Sequence, residues 1–206
     1  ALLDSAGWKV GADGIRSKDN QRLQFELLLA APGFQRIAEP YKNNLKKIGV
    51  QMDIKVAQIA EYEERLRNFK FSMIVANYPQ SRSPGNEQRY MWGSKSAETP
   101  GTRNYMGIKN PAIDELIDGI IRTKDRKKLI TQIQALDRIL THQFYIVPHW
   151  YIAYDRAVYW NKFSGPKINP SQNIITNNLI EWWWLDDKKL KQAINKHKPE
   201  IIKIGE

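Results

Sequence analysis

The 206-residue chain contains no cysteine. That absence excludes a disulfide scaffold, a thiolate zinc site, an iron–sulfur cluster and a cysteine nucleophile. It leaves the compartment open, because exported proteins also avoid the residue. Long apolar runs are missing too: stretches such as Leu27-Leu28-Leu29-Ala30-Ala31 fall far short of the about 20 residues that a membrane-spanning helix requires. The chain opens with neither the basic n-region nor the apolar h-region of a signal peptide, so an exported protein would carry this sequence in a processed or trimmed form. Histidine is scarce, with His142, His149 and His197 alone, and none stands at a metal-ligand spacing from another histidine or a carboxylate. There is no Gly-x-Ser-x-Gly elbow, phosphate-binding glycine loop or dinucleotide fingerprint. The carboxylate pairs Glu63-Glu64, Asp114-Glu115 and Asp186-Asp187 fall at helix-surface or tail positions, where a solvated face is the default. No metal or cofactor is expected, and catalysis is not indicated.

What is present is an ordinary globular composition, 42% hydrophobic and 26% charged, with enough length for one sizeable domain or two small ones. The balance of 32 basic and 22 acidic residues, a net charge of +10, raises the possibility of a basic nucleic-acid-binding module. The excess is spread evenly, however: +3 over residues 1–70, +3 over 71–110, +1 over 111–150 and +3 over 151–206. A phosphate-tracking protein concentrates its Lys and Arg on one face or arm, so a basic, well-solvated surface is the better reading.

The hydrophobic periodicity alternates between strand and helix. Ala1 to Gly7 reads as the end of an amphipathic helix that lacks an N-cap, and Gly11 to Gly14 as a turn. Leu23 to Ala31 reads as a buried strand. Phe34, Ile37, Tyr41, Leu45 and Ile48 recur at helical spacing, with Pro40 either kinking that helix or lying in its early part. Val50 to Val56 alternates at period two, Ile59 to Phe69 is helical, and Phe71 to Ala76 is an apolar run expected to be a strand covered on both faces. This order predicts an α/β fold with parallel βαβ character. Two further helices are expected from Pro111, at a favoured first position, and after an N-cap at Asp125. Tyr145 to Tyr151 and Ile152 to Trp160 look strand-like, residues 161–181 irregular, and Lys188 to Glu206 a basic tail with weak helical periodicity.

The 34 residues from Asn77 to Asn110 break this rhythm with glycine, proline, polar residues and large aromatics. A connection that long inside a compact domain is usually functional or disordered, and its aromatics argue against disorder. In an open α/β sheet, ligands bind beyond the carboxyl ends of the strands, where Phe71–Ala76 delivers this segment. Tyr78 and Trp92 offer flat walls, Arg82 and Arg89 can fork onto carboxylates, and Asn86, Gln88 and Asn104 can pair with amides. Glu87, the one acid between Asn77 and Ala97, is the natural partner for a cationic group. Asn77, Gln80 and Ser81 complete the candidate ligand-binding set from this segment. His149 and Tyr151 join it from the second strand-like run, although a satisfied core or edge position suits His149 on spacing alone. The alternative for the whole segment is a packed surface loop with its own aromatic core.

Several stretches resemble one family. ALLDSAGW, FELLLA, FQRIAEPYKNNLKKIGV, MDIKV and EYEERLRNFKFSMIVANY follow in the order of the oligopeptide/dipeptide solute-binding proteins of ABC importers. QSRSPGNEQRYMWGS, NYMGIKNPAIDELI and DRKKLITQIQALDRILTHQFYIVPHWY are closer still to the branch associated with longer peptides and peptide-nucleotide antibiotics of the microcin C type. The resemblance runs from about Ala1 to Trp184. It implies a periplasmic-binding-protein-like lobe with a mixed sheet flanked by helices. Residues 1–160 would be the second lobe of a two-lobed protein, and residues 161–206 a return segment toward the first lobe plus the tail. Many peptide-binding relatives place an acid just after the strand matching FSMIVA to engage the ligand's amine. Asn77 stands there in this sequence, which leaves that role to Glu87 if any residue takes it.

The resemblance further implies a periplasmic, non-enzymatic component that clamps a peptide or peptide-like ligand by hinged closure and passes it to an inner-membrane permease. A single lobe is expected to bind weakly. The apolar surface that a first lobe would cover is expected to draw two copies together as a dimer. The Trp182–Trp184 cluster beside the lysine-rich tail admits a membrane-surface or docking reading, although packing beneath the lobes suits it better.

Overall fold

Residues 24–29 and 51–56 carry apolar side chains at every second position, and the chain folds them as neighbouring parallel strands. In a computed structural model, which describes residues 2–81, 83–150, 155–166, 183–196 and 199–204, these are β4 (Gln24–Leu29) and β5 (Gln51–Val56). They are preceded by helix α1 (Leu2–Ser5) and the short antiparallel strands β1 (Lys9–Val10), β2 (Arg16–Lys18) and β3 (Gln21–Arg22). The register pairs Phe25 with Met52, Leu27 with Ile54 and Leu29 with Val56 on one face. Helix α2 (Gln35–Lys47), entered through a 3-10 turn at Pro32–Phe34, lays Ala38, Tyr41 and Leu45 on that face. The helix runs through Pro40, its sixth residue. Burying side chains such as Leu27, Leu29 and Met52 contributes about 1.5–3 kcal/mol each.

The other face of the two strands is mostly polar. Asp53 accepts from Gln24 and Gln51, and helix α3 (Ile59–Arg67) is tied to the sheet by Arg65 on Glu26 at 2.6 Å and by Lys55 on Glu61 at 2.5 Å. Strand β6 (Met73–Ile74) pairs in parallel with β4, giving the order β5-β4-β6 and the βαβ connections expected. It is shorter than the sequence suggests. Only Met73 and Ile74 pair, at an outer position of the sheet and half-buried, so the run Phe71–Ala76 is not a strand covered on both faces. Phe69, at φ +54, closes α3 and aims the chain into this brief pairing.

A second core lies further along the chain. Helix α4 (Glu87–Trp92), a 3-10 turn at Ser94–Glu98, α5 (Pro111–Arg122) and α6 (Arg126–His142) bury Met91, Trp92, Ile108, Ile113, Ile117, Ile120 and Leu136 together. The expected cap is present, with Asp125 Oδ1 accepting from Lys128 N, and α5 has one as well, Asn110 Oδ1 accepting from Ala112 N ahead of Pro111. His142 ends α6 with Nδ1 against the Arg138 carbonyl. The expected strand at residues 145–151 does not form over 145–150, and Ile146, Val147 and Trp150 are exposed there. Pro148 has no N–H to give a ladder, and Phe144, at φ +54, turns the chain away from α6.

The chain divides into two compact units, 1–145 and 146–206. In the second, β7 (Asp155–Trp160) pairs antiparallel with β10 (Pro199–Ile204), and β8 (Phe163–Ser164) with β9 (Trp184–Leu185). Helix α7 (Asp187–Lys196) follows β9, so the tail expected to be weakly helical is a helix and then a strand. Pro199 opens that strand, and the β-branched Ile201, Ile202 and Ile204 suit it. Asp186, read as a solvated tail carboxylate, instead accepts from Lys188 N, Lys189 N and Ser164 Oγ. Trp182 lies outside the described residues. Among those described, no helix is long and apolar enough to cross a membrane, and no group of three or more potential ligands could hold a metal.

Candidate functional site

The segment 77–110 leaves the sheet at the carboxyl end of β6, beside the carboxyl ends of β4 and β5, the edge at which parallel sheets receive ligands. It is held by its own aromatic and amide contacts. The Tyr78 ring lies 4.6 Å from that of buried Trp92, and both Tyr78 and Phe71 approach Tyr105 at 6.2 Å. The Tyr78 hydroxyl reaches the Arg103 carbonyl at 3.3 Å and Met106 Sδ at 3.2 Å. Burial, more than any other influence, pushes the Tyr78 hydroxyl far above its ordinary pKa, so it remains a neutral donor. The flat walls expected of Tyr78 and Trp92 are therefore engaged in packing, and the segment does have its own aromatic core.

A line of amides crosses α4. Trp92 Nε1 donates to Gln88 Oε1 at 2.9 Å, and Gln88 Nε2 donates to Gln80 Oε1 at 2.7 Å and Glu87 Oε1 at 3.2 Å. Glu87 Oε1 also accepts from Gly85 N at 2.8 Å. Burial raises the Glu87 pKa, but the backbone N–H groups of Gly85 and Glu87 and the Gln88 amide together hold it below its ordinary value. The residue stays an anion.

Asn104 is fully buried. Its Nδ2 donates to the carbonyls of Gly93 and Ile108 at 2.9 Å each, and its Oδ1 accepts from Ile108 N at 2.8 Å. It shapes the segment from within and presents nothing to a ligand. Gly93 is also buried, and a Cβ there would lie 2.7 Å from the Arg89 carbonyl oxygen. Arg89 pairs with Asp118 of α5 at 2.5 Å, and Asp118 also meets Arg122. Its charge is matched within the protein.

Of the candidate residues, the structure brings Asn77, Gln80, Ser81 and Asn86 to the exposed surface of one segment, with Tyr78 and Glu87 half-buried among them. Trp92 and Asn104 lie beneath. His149 belongs to the second unit, its ring 5.4 Å from that of Trp150. Arg82 and Tyr151 fall outside the described residues. The reading from sequence passed over Arg103, whose Nη2 donates to the Asn77 carbonyl at 2.5 Å and whose guanidinium lies 5.5 Å from the Tyr78 ring centroid. No spacing rule points to an arginine 26 residues downstream of its acceptor.

The site thus consists of parallel strands flanked by helices, with an elaborated polar and aromatic segment at their carboxyl edge. Residues 1–100 match the model of the bacterial extracellular solute-binding proteins, family 5, middle region. It is 35% identical over 184 residues to an uncharacterized protein, y4wM, of Sinorhizobium fredii, covering 89% of this chain and 27% of the relative. It is 33% identical to a probable peptide-binding protein, YejA, of Agrobacterium fabrum, covering 89% and 30%. Among solved structures it resembles the oligopeptide-binding protein AppA of Bacillus subtilis in complex with a nonapeptide, with a TM-score of 0.66 and 22% identity over 90% of this chain and 36% of AppA. That likeness establishes the α/β fold of periplasmic binding proteins. The chain spans less than a third of the length of the curated relatives named here.

Proposed function

We propose that the chain is part of the substrate-binding component of an ABC importer, a non-enzymatic periplasmic protein that receives peptides or peptide-like solutes and delivers them to an inner-membrane permease. Residues 1–160 are its second lobe and residues 161–206 the return segment and tail. The observation that carries the reading is the segment 77–90, exposed and polar on its outer side and fixed from beneath, at the carboxyl edge of a sheet whose residues match the family 5 model. Similarity to the probable peptide-binding protein of Agrobacterium fabrum supports peptides as the ligand class. Nothing in the comparisons supports the nucleic-acid alternative or a dimer.

A single lobe offers one wall of a cleft, so binding to this chain alone is weak. Titration of the ¹⁵N-labelled chain with pentaalanine at millimolar concentration is expected to shift the amides of Asn77, Gln80, Ser81, Asn86 and Glu87. Undisturbed spectra, or shifts confined to other elements, would overturn the reading.

A further inference from the structure

We infer that Arg103 is a carboxylate-recognising residue of the candidate site. The inference rests on the peptide-binding reading and deepens it by naming the ligand group. Arg103 is half-buried, yet no carboxylate among the described residues pairs with it, in contrast to Arg89 on Asp118 and Lys109 on Glu98. A guanidinium has five N–H donors. The one hydrogen bond that Arg103's guanidinium makes among the described residues runs from Nη2 to the Asn77 carbonyl, at an exposed position.

Its surroundings fix it in place. The Tyr78 ring lies 5.5 Å from the guanidinium carbon, the Tyr78 hydroxyl reaches the Arg103 carbonyl, and Arg103 N donates to the Tyr90 carbonyl at 3.3 Å. Little side-chain freedom is left to lose when a ligand docks, which is the condition under which a fork of N–H groups is most effective. Stacking beside an aromatic ring and donating to a carbonyl leave the positive charge uncompensated. A carboxylate supplies both the counter-charge and two acceptors for that fork. The exposed Asn77 stands on the adjoining stretch, where it can pair with the amide next to such a carboxylate.

The carboxylate could be a peptide's C-terminus or an acidic side chain, and three probes separate these: pentaalanine, pentaalanine amide, and Ala-Ala-Glu-Ala-Ala amide. Each is titrated into the labelled chain while the Arg103 Nε–H resonance and the amides of residues 77–90 are followed. Pentaalanine is expected to move Arg103 Nε–H and to bind about tenfold more tightly than its amide. Recovery of that affinity by the glutamate peptide would show that any carboxylate serves. Failure to recover it would assign Arg103 to the C-terminus. Arg103→Gln is expected to abolish the preference for the acid, and Arg103→Lys to restore part of it at an unchanged melting temperature. If acid and amide shift residues 77–90 equally and Arg103 Nε–H stays still, the Arg103 assignment falls and the peptide reading stands. If no probe moves residues 77–90, both fall. The resonance measurement on the native chain is decisive even if Arg103→Gln folds poorly.

Discussion

Replacing Asn104 by alanine separates two roles that one asparagine in a recognition segment could play. The side chain is fully buried and satisfies three backbone groups, the carbonyls of Gly93 and Ile108 and the N–H of Ile108. Alanine leaves all three without their partner in a place that water does not reach. Each such group costs about 1–3 kcal/mol, and partial relaxation keeps the sum below simple addition, so a loss of about 3–5 kcal/mol is expected. For a chain of this length, that lowers the melting temperature by roughly 10 °C. Aspartate should do no better. It keeps the acceptor for Ile108 N but turns a second oxygen toward two carbonyls. Urea unfolding followed by far-UV circular dichroism and tryptophan fluorescence measures the change, with Trp92 in the same core reporting locally. A destabilisation under about 1 kcal/mol for Asn104→Ala, together with a loss of ligand affinity, would refute the reasoning, because it would mean that the amide faces the ligand.

Two further outcomes follow from the same segment. Gly93→Ala places a Cβ against the Arg89 carbonyl oxygen in a buried turn, so thermal melting should show a loss of about 1–3 kcal/mol, and an unchanged melting temperature would contradict the contact. Glu87 has a folded pKa below its unfolded value, so its contribution to stability is complete above the ordinary glutamate range and is lost as pH falls through the folded value. Acid unfolding of Glu87→Gln should therefore differ from that of the native chain at neutral pH and converge with it on acidification. A gap that widens as pH falls would reverse that sign.

Much of the fold could be read from periodicity because packing and periodicity agree there. The alternation of Met52, Ile54 and Val56 is the apolar face of the sheet, Pro111 opens α5, and the cap at Asp125 stands where its short polar side chain placed it. Phe71–Ala76 misled because a continuous apolar run does not say how many of its residues find a partner strand, and only Met73 and Ile74 do. In the candidate segment, composition gave the residue types but not the orientation of their side chains. Trp92 and Tyr78 stack on each other, and Asn104 turns inward, because the tight path from Gly93 to Ile108 needs an amide at its centre. Arg103 escaped notice for a related reason: its importance lies in meeting Asn77 and Tyr78, which sequence distance conceals.

Most outward polar residues of the segment are distinct from the groups that hold its shape; Gln80, which accepts from Gln88, belongs to both. Asn77, Gln80, Ser81 and Asn86 are exposed, whereas Trp92, Asn104 and Gly93 are buried beneath them. Surface substitutions away from such supports usually change stability by no more than about 0.5 kcal/mol. Descendants of this sequence can exchange Asn77, Ser81 and Asn86 almost at will, sampling new ligands while the fold tolerates each step. In that sense the segment is a site of inexpensive experiment, and its buried asparagine is what keeps the experiments survivable.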